Sequence, residues 1–156
     1  MSEQLLPTIE QAEGFREKPY RDTELLWTFG TGRCLETNPL TGKEWKALLD
    51  AGEMDVTITH AGATRLLNAG VADCLVACAI TFRWWAELDE ARRDVIAELA
   101  YQLGLTRLMR FRQMLAAMDR RDYDSAATEL LDSLYARQVP ARAKRLSTQL
   151  RTGVKA

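Results

Sequence analysis

Near residue 60 the spacing of apolar residues changes, and this change divides the chain into a mixed first third and a helical remainder. From residue 63 to residue 79, apolar side chains recur at three- and four-residue intervals, as they do on the packed face of an α-helix. Before the change, β-forming residues 27–29 are followed by Gly30 and Gly32, which is typical of short strands and turns. The sequence therefore predicts an α+β fold that is mostly helical.

In the first third we expect a helix that begins near Leu6 and ends at Gly14, where glycine is a common helix stop. A hairpin follows, in which residues 27–31 fold back on residues 20–23. Further on, the pattern predicts a helix capped by Thr41 and ending at Gly52, and a short strand at residues 56–58.

In the remainder, Thr59 is expected to cap a long helix over about 60–80, with a break at 81–85. Asp89 and Gly104 mark the start and the end of the next helix. Further helices are predicted around 106–120, 122–132 and 140–151, the second capped by Asp122 and the third opened by Pro140.

The length of 156 residues suits one domain, which we expect to occupy residues 1–156. Its predicted parts are a small α+β lobe at about 14–60, a connecting helix at about 60–80, and a helical lobe at about 81–156 that also includes the N-terminal helix. Two lobes joined by one helix leave a cleft, and clefts hold substrates.

Composition limits the possible classes of protein. The chain is 47 % hydrophobic and 28 % charged, which is typical of soluble globular proteins. No continuous apolar run approaches the ~18 residues of a bilayer span, and the acidic N-terminus does not resemble a signal peptide. The odd number of cysteines, three, favours free thiols in a reducing cytoplasm. We expect no stable membrane association.

Two carboxylates and a hydroxyl form the first candidate site. Glu13 ends the first predicted helix, Asp22 lies nine positions later in the hairpin, and Thr28 lies on the return strand. A helix end followed by a hairpin can turn both carboxylates toward one space, as a glycosidase requires for its general acid and its base. In a chain with 22 acidic residues the same spacing also arises by coincidence.

Other candidates favour structural roles. His60 is the only histidine and is expected to be an exposed first-turn residue. Cys74 and Cys78 lack further Cys or His ligands nearby in sequence, so a buried apolar pair is favoured over a metal site. Trp84 and Trp85 favour a core plug over a carbohydrate platform. We expect no metal and no cofactor.

The residues around the two carboxylates resemble the active-site segment of the phage-type lysozymes, the small endolysin muramidases of tailed bacteriophages. The resemblance covers almost the whole chain in order. The matching segments are Glu13-Gly14-Phe15-Arg16, Tyr20-Arg21-Asp22-Thr23-Glu24, Thr28-Phe29-Gly30-Thr31-Gly32, Tyr101-Gln102-Leu103-Gly104, Ala141-Arg142-Ala143-Lys144-Arg145 and Arg151-Thr152-Gly153.

The resemblance implies a lysozyme-like two-lobed fold and a role for each motif residue. Glu13 would be the general acid, and Asp22 the base that holds the attacking water with the hydroxyl of Thr28. Arg142 matches a basic residue that pairs with the catalytic glutamate. The implied reaction is hydrolysis with inversion.

The same resemblance implies a set of substrate-binding positions. Some of them differ in type from the family's usual residues, because Met114 and Cys34 offer only apolar contact and Glu129 adds a charge. Tyr101 can stack on a sugar and hydrogen-bond to it. The substrate-binding positions are Gly30, Cys34, Tyr101, Gln102, Met114 and Glu129.

One pair of residues departs from the family pattern. Arg33 stands where the family usually has histidine, and Gly70 stands where relatives often place the aspartate that pairs with it. We interpret this change as the loss of a structural ion pair and not of catalysis. Gly30 and Gly32 are expected to allow close approach of the backbone to a sugar ring.

The favoured function is therefore an endolysin that hydrolyses the β-1,4 bond between N-acetylmuramic acid and N-acetylglucosamine in peptidoglycan. Its partner would be the glycan strand, and we expect a monomer that stays in the host cytoplasm until a holin permeabilises the membrane. The alternative is a non-catalytic peptidoglycan-binding or structural module with the same fold. A lytic transglycosylase would need only one carboxylate.

Nucleic acid is not an expected partner. Residues 81–156 carry 14 Lys and Arg against 10 Asp and Glu, but the whole chain has a formal net charge of −1. No helix-turn-helix or aromatic stacking motif accompanies the basic half.

Overall fold

The computed structural model describes residues 4–35, 40–44, 46 and 60–155. The chain divides into two compact units, one over residues 3–72 and the other over residues 73–156. We call them the hairpin unit and the helical unit, and each is described by itself. The expected α+β fold, mostly helical with a small antiparallel sheet, is confirmed.

The hairpin unit begins with α1, Leu5–Glu13, whose residues Leu5 and Ile9 are buried one helical turn apart. Gly14 ends the helix as predicted. It has a φ of 72°, and its N–H donates to the carbonyl of Glu10. Glycine adopts this left-handed φ without the Cβ clash of other residues, so the chain can turn there into the first strand.

Three antiparallel strands form the sheet in the order β1 (Arg16–Arg21), β2 (Trp27–Gly30) and β3 (Arg33–Cys34). The predicted hairpin is confirmed, although β1 begins four residues earlier than expected and β3 was not predicted. Phe29 packs beside the buried residues Ala63 and Leu66. Packing of Phe29 against these helix residues gives the small sheet the apolar contact that three short strands need to be stable.

The helix expected after Thr41 begins as predicted. The Thr41 hydroxyl accepts from the backbone N–H of Glu44, and the Glu44 carboxylate accepts from the backbone N–H of Thr41. This reciprocal arrangement is a capping box. The predicted end at Gly52, the strand at 56–58 and the cap at Thr59 lie outside the described residues.

The long helix α2 spans His60–Thr81 and confirms the prediction for 60–80. Its Gly62–Thr81 stretch is long and apolar enough, by length and composition alone, to cross a membrane, although it contains no continuous apolar run of ~18 residues. The expectation counted continuous apolar runs, whereas this stretch admits Arg65 and Asp73 among small and apolar residues. One such helix is weak evidence for a span, because core helices pass the same test.

α2 ends within the helical unit, and a break follows it at the predicted place. A 3₁₀ turn at Trp85–Glu87 precedes α3, whose first turn is capped by Asp89, accepting from the N–H of Arg92. Gly104 ends α3 as predicted, with a φ of 74°. The helices that follow the break are α3 (Glu90–Leu103), α4 (Leu105–Leu108), α5 (Arg112–Asp119), α6 (Tyr123–Leu131), α7 (Leu134–Gln138) and α8 (Pro140–Thr152).

The prediction of one helix over 106–120 is wrong. The helix is interrupted at Phe111, whose ψ of 54° is not helical, so this segment forms two helices, α4 and α5. Leu108 and Met114 are both buried, yet a spacing of six residues would place them on different faces of one continuous helix. The break allows both side chains to enter the core. α7, capped by Ser133, was not predicted.

A single hydrophobic core holds the helical unit together. It is built from apolar side chains of every helix from α3 to α8, with Trp84 and Phe82 from the preceding segment. Its fully buried large residues include Ile96, Leu99, Leu108, Met114, Met118, Leu130, Leu146 and Leu150.

Candidate active site

Asp22 lies at the end of β1, where the hairpin turns. Its backbone N–H donates to the carbonyl of Leu26 at 3.0 Å, and its carbonyl accepts from the N–H of Leu25 at 3.0 Å. Its side-chain Oδ1 accepts from the backbone N–H groups of Glu24 and Leu26, both at 2.9 Å. The turn itself therefore fixes the orientation of this carboxylate.

Thr28 faces the second carboxylate oxygen. Its register partner on β1 is Tyr20, and its hydroxyl donates to Oδ2 of Asp22 at 3.2 Å. Thr28 is 3 % exposed, and the carbonyl oxygen of Leu26 is a second acceptor for its hydroxyl at 3.4 Å. A hydroxyl that donates to a carboxylate keeps its lone pairs for another donor, such as a water molecule.

Glu13 is the last residue of α1, and its side chain lies against the turn between β2 and β3. A Cβ added to Gly32 would lie 2.7 Å from Oε2 of Glu13 and 3.0 Å from its Cβ. Gly32 also has a φ of 71°. We expected Gly32 to let a sugar ring approach the backbone, but in this structure the Glu13 side chain fills the space beside it.

The charges of both carboxylates affect the pKa of Tyr20. Burial raises the pKa of its phenol, Arg16 acts in the opposite direction, and the charges of Glu13 and Asp22 raise it further. Both carboxylates therefore lie within electrostatic reach of one phenol. The sequence motif contained Tyr20 but gave it no role, and an aromatic residue between two motif carboxylates was the available signal.

Two further predicted residues belong to this unit. Gly30 is buried with a φ of 60°, and it pairs with Arg16 across the sheet. Cys34 is half-buried on β3 as the register partner of Thr28. The hairpin unit thus contains Glu13, Asp22, Thr28, Gly30 and Cys34.

The other five predicted residues belong to the helical unit. Gln102 accepts a hydrogen bond of 2.6 Å from the hydroxyl of Tyr135, which fixes its amide. Met114 is 1 % exposed within the core, so in this structure it offers almost no surface to a ligand. Tyr101 on α3 and Arg142 on α8 are half-buried, and Glu129 on α6 is exposed.

The position that departs from the family pattern carries an ion pair with a different partner. Nη2 of Arg33 lies 3.1 Å and 3.2 Å from the two carboxylate oxygens of Glu44. Arg33 is buried, and Gly70 is a buried residue of α2. Sequence reasoning expected the pair to be lost and missed Glu44, although the Thr41-x-x-Glu44 capping pattern was visible.

His60, Trp84 and Cys78 have the structural roles predicted for them, whereas Cys74 and Trp85 are half-buried. The His60 side chain is 63 % exposed and lies 3.2 Å from Glu10. Trp84 stacks on Phe82 in the helical core, with ring centroids 4.8 Å apart. Cys78 is buried in the same core, where burial and then Cys74 raise its pKa to about 12.

Known proteins resemble this chain over most of its length. It is 28 % identical to the pre-baseplate central spike protein Gp5 of Enterobacteria phage T4, over 93 % of this chain and 27 % of that protein. It is 23 % identical to the probable T4-type lysozyme 2 of Dictyostelium discoideum, over 98 % and 96 % of the two chains. It is 26 % identical to the probable T4-type lysozyme 1 of that organism, over 93 % and 92 %.

The chain therefore spans about a quarter of the spike protein and nearly all of each probable lysozyme. The phage lysozyme family itself matches residues 10–148, a range that includes every residue assigned above to catalysis or substrate binding. This match and the two probable lysozymes support a glycoside hydrolase of muramidase type. The chain belongs to the phage lysozyme family.

Proposed function

We propose that this chain hydrolyses the β-1,4 bond between N-acetylmuramic acid and N-acetylglucosamine in peptidoglycan. The observation that supports this most strongly is the contact between Thr28 and Asp22. One oxygen of Asp22 is held by the turn, and the other faces a buried hydroxyl. A carboxylate fixed in this way, beside a hydroxyl with free lone pairs, can hold a water molecule in one orientation.

In the proposed reaction Asp22 acts as the base. The water bound between Asp22 and Thr28 attacks the anomeric carbon, and its proton passes to the Asp22 carboxylate. The bond from the anomeric carbon to the leaving oxygen breaks, and Glu13 gives its proton to that oxygen. Attack by water on the face opposite the leaving group inverts the anomeric configuration.

We further propose that the chain acts as an endolysin. It would stay in the host cytoplasm until a holin permeabilises the membrane, and would then act as a monomer on the glycan strands of the wall. For the residues predicted in the helical unit, we carry over from the family resemblance a substrate-binding role for Tyr101 and Gln102 and a supporting role for Arg142. Glu129 would contact the sugars from the exposed surface of α6.

The test is the loss of turbidity of Gram-negative cells with a permeabilised outer membrane. Glu13→Gln keeps the shape of the side chain and removes its proton, so clearing should stop. Glu17→Gln is the matched control, because Glu17 is an exposed carboxylate on β1 of the same unit. Reducing muramic acid ends in the fragments would identify hydrolysis, and anhydro ends would indicate a transglycosylase.

A structural module is the second candidate. It is favoured by the similarity to the spike protein, of which this chain covers 27 %. In that case, folded wild-type protein would co-sediment with purified sacculi without releasing fragments, and Glu13→Gln would bind as the wild type does. Release of fragments by the wild type alone would exclude the module.

A further inference from the structure

The side chain of Glu13 rests on the backbone of Gly32. A Cβ placed on Gly32 would lie 2.7 Å from Oε2 of Glu13 and 3.0 Å from both its Cβ and its Cγ. Because no flexible side chain of residue 32 separates the two, a displacement of this backbone would displace the glutamate. The position of the Gly32 turn therefore bears directly on the position of the carboxylate.

The next residue along the chain fixes this turn. Arg33 begins β3, pairs with Phe29 in the sheet, and is 5 % exposed. Its guanidinium reaches both carboxylate oxygens of Glu44, at 3.1 Å and 3.2 Å. The two side chains are 6 % and 12 % exposed, so solvent screens this ion pair far less than a surface pair.

Glu44 is itself held in place by a second set of hydrogen bonds. Its Oε2 accepts from the backbone N–H of Thr41 at 2.8 Å and from the Thr41 hydroxyl at 2.9 Å. Its own N–H donates to the same hydroxyl at 3.2 Å. The capping box thus gives Arg33 an anchored partner rather than a mobile surface carboxylate.

We propose that Arg33 and Glu44 are positioning residues for the general acid, and that they act on Glu13 through Gly32. This inference rests on the proposed function, in which Glu13 donates a proton to the leaving oxygen. A general acid must lie within hydrogen-bond reach of the atom that it protonates, and small misplacements of reacting groups reduce rates sharply. The ion pair keeps the carboxylate within that reach.

The first test compares Glu44→Gln with the wild type. The substitution keeps the length of the side chain and an acceptor for Thr41, but it removes the charge that holds Arg33. We expect kcat on solubilised peptidoglycan to fall roughly ten-fold, with KM within about two-fold of the wild type, since substrate contacts are unchanged. Rates are measured well below each variant's melting temperature. Arg33→Lys, which keeps the charge but replaces the planar guanidinium with an ammonium on a shorter side chain, should retain an intermediate kcat.

The matched control is Glu98→Gln in the helical unit. Glu98 is also a buried carboxylate in an ion pair, 4 % exposed and 2.5 Å from Arg145. The same chemical change there should lower the melting temperature while kcat stays at the wild-type value. A structural role for Arg33 and Glu44 would give this pattern too, and it would overturn the proposal.

A second measurement does not depend on hydrolysis. The position of the Glu13 carboxylate is determined in crystal structures of the wild type and of the two variants. In Glu44→Gln the carboxylate should be displaced relative to the Gly32 backbone by about 1 Å, and in Glu98→Gln it should not move. If the wild type hydrolyses nothing, the proposed function fails, and this displacement alone decides the positioning role. An unmoved carboxylate in Glu44→Gln would overturn it.

Discussion

The hydroxyl of Thr28 lies 3.2 Å from Oδ2 of Asp22, and this contact joins the second strand to the turn that ends the first. The other oxygen, Oδ1, accepts only from backbone N–H groups of the turn, those of Glu24 and Leu26, among the contacts described for it. The two oxygens therefore have separate tasks. One stabilises the turn, and the other is directed toward the hydroxyl and the proposed water.

This separation predicts different outcomes for two substitutions of Asp22. Asn keeps an oxygen for the two turn N–H groups, so Asp22→Asn should fold with stability close to the wild type. Ala removes both hydrogen bonds, so Asp22→Ala should lose about 1–2 kcal/mol of unfolding free energy. Both should reduce hydrolysis by roughly 10²–10⁴-fold, because neither can accept the proton of the water.

The measurements are urea unfolding and initial rates of fragment release. Equal losses of stability in the two variants would show that the turn does not depend on the side-chain oxygen. Hydrolysis at the wild-type rate in Asp22→Asn would exclude Asp22 as the base.

The Thr28 hydroxyl can be removed with little change of shape. Thr28→Val leaves Oδ2 of Asp22 without this donor and the proposed water without one of its acceptors. We expect the rate to fall roughly ten- to a hundred-fold and unfolding free energy to fall by about 1 kcal/mol. Thr28→Ser retains the hydroxyl and should recover most of the rate while losing the packing of a methyl group. Equal rates for Val and Ser would show that the hydroxyl has no role.

Sequence reasoning succeeded where a local signal determines a local structure. Gly14 and Gly104 end helices at the predicted residues, and Asp89 and Asp122 cap helices as predicted. Each of these residues acts on its own turn through backbone conformation or one hydrogen bond, so its neighbours in sequence are sufficient to predict it.

The predictions that were wrong or incomplete concern features that depend on contacts between residues distant in sequence. The helix is interrupted near Phe111 because Leu108 and Met114 both pack in the core. The apolar spacing over 106–120 did not indicate this interruption. The Arg33–Glu44 pair joins residues 11 positions apart through the fold. Kinship indicated the identities of the site residues, but only the structure showed that Glu13 rests on Gly32.

The contact between Glu13 and Gly32 predicts a large effect for a single methyl group. Gly32→Ala places a Cβ 2.7 Å from Oε2 of Glu13 and forces alanine into a φ of 71°. Gly104→Ala is the matched control, because its φ is 74° and nothing lies within 4 Å of the added Cβ. Both should lose about 1–3 kcal/mol from backbone strain.

Gly32→Ala should lose about 1–3 kcal/mol more, together with most of its hydrolytic activity, because the glutamate must move. The measurements are thermal unfolding and rate, compared between the two variants. Activity close to that of Gly104→Ala would show that Glu13 tolerates displacement.

The buried thiol of Cys78 predicts a loss of stability at alkaline pH. Its pKa is raised to about 12 in the folded protein, from an ordinary value of 9.0. A group with a raised folded pKa contributes stability that is complete below the unfolded pKa and is lost as pH rises toward the folded value. The unfolding free energy should therefore fall between about pH 9 and pH 12. Cys78→Ala should show a smaller fall over this window, as measured by urea unfolding, and an equal fall would exclude the thiol as its source.

Leu25 occupies a turn position that suits glycine. It has a φ of 62° and is 71 % exposed, so its side chain gains little from packing while its backbone is strained. The left-handed conformation costs a residue with a Cβ about 1–2 kcal/mol, and glycine loses about 0.5–1 kcal/mol more in chain entropy on folding. Leu25→Gly should therefore raise the unfolding free energy by roughly 0.5–1 kcal/mol. Leu25→Ala keeps the strain and should not, so equal stabilities of the two variants in urea would contradict the strain at this position.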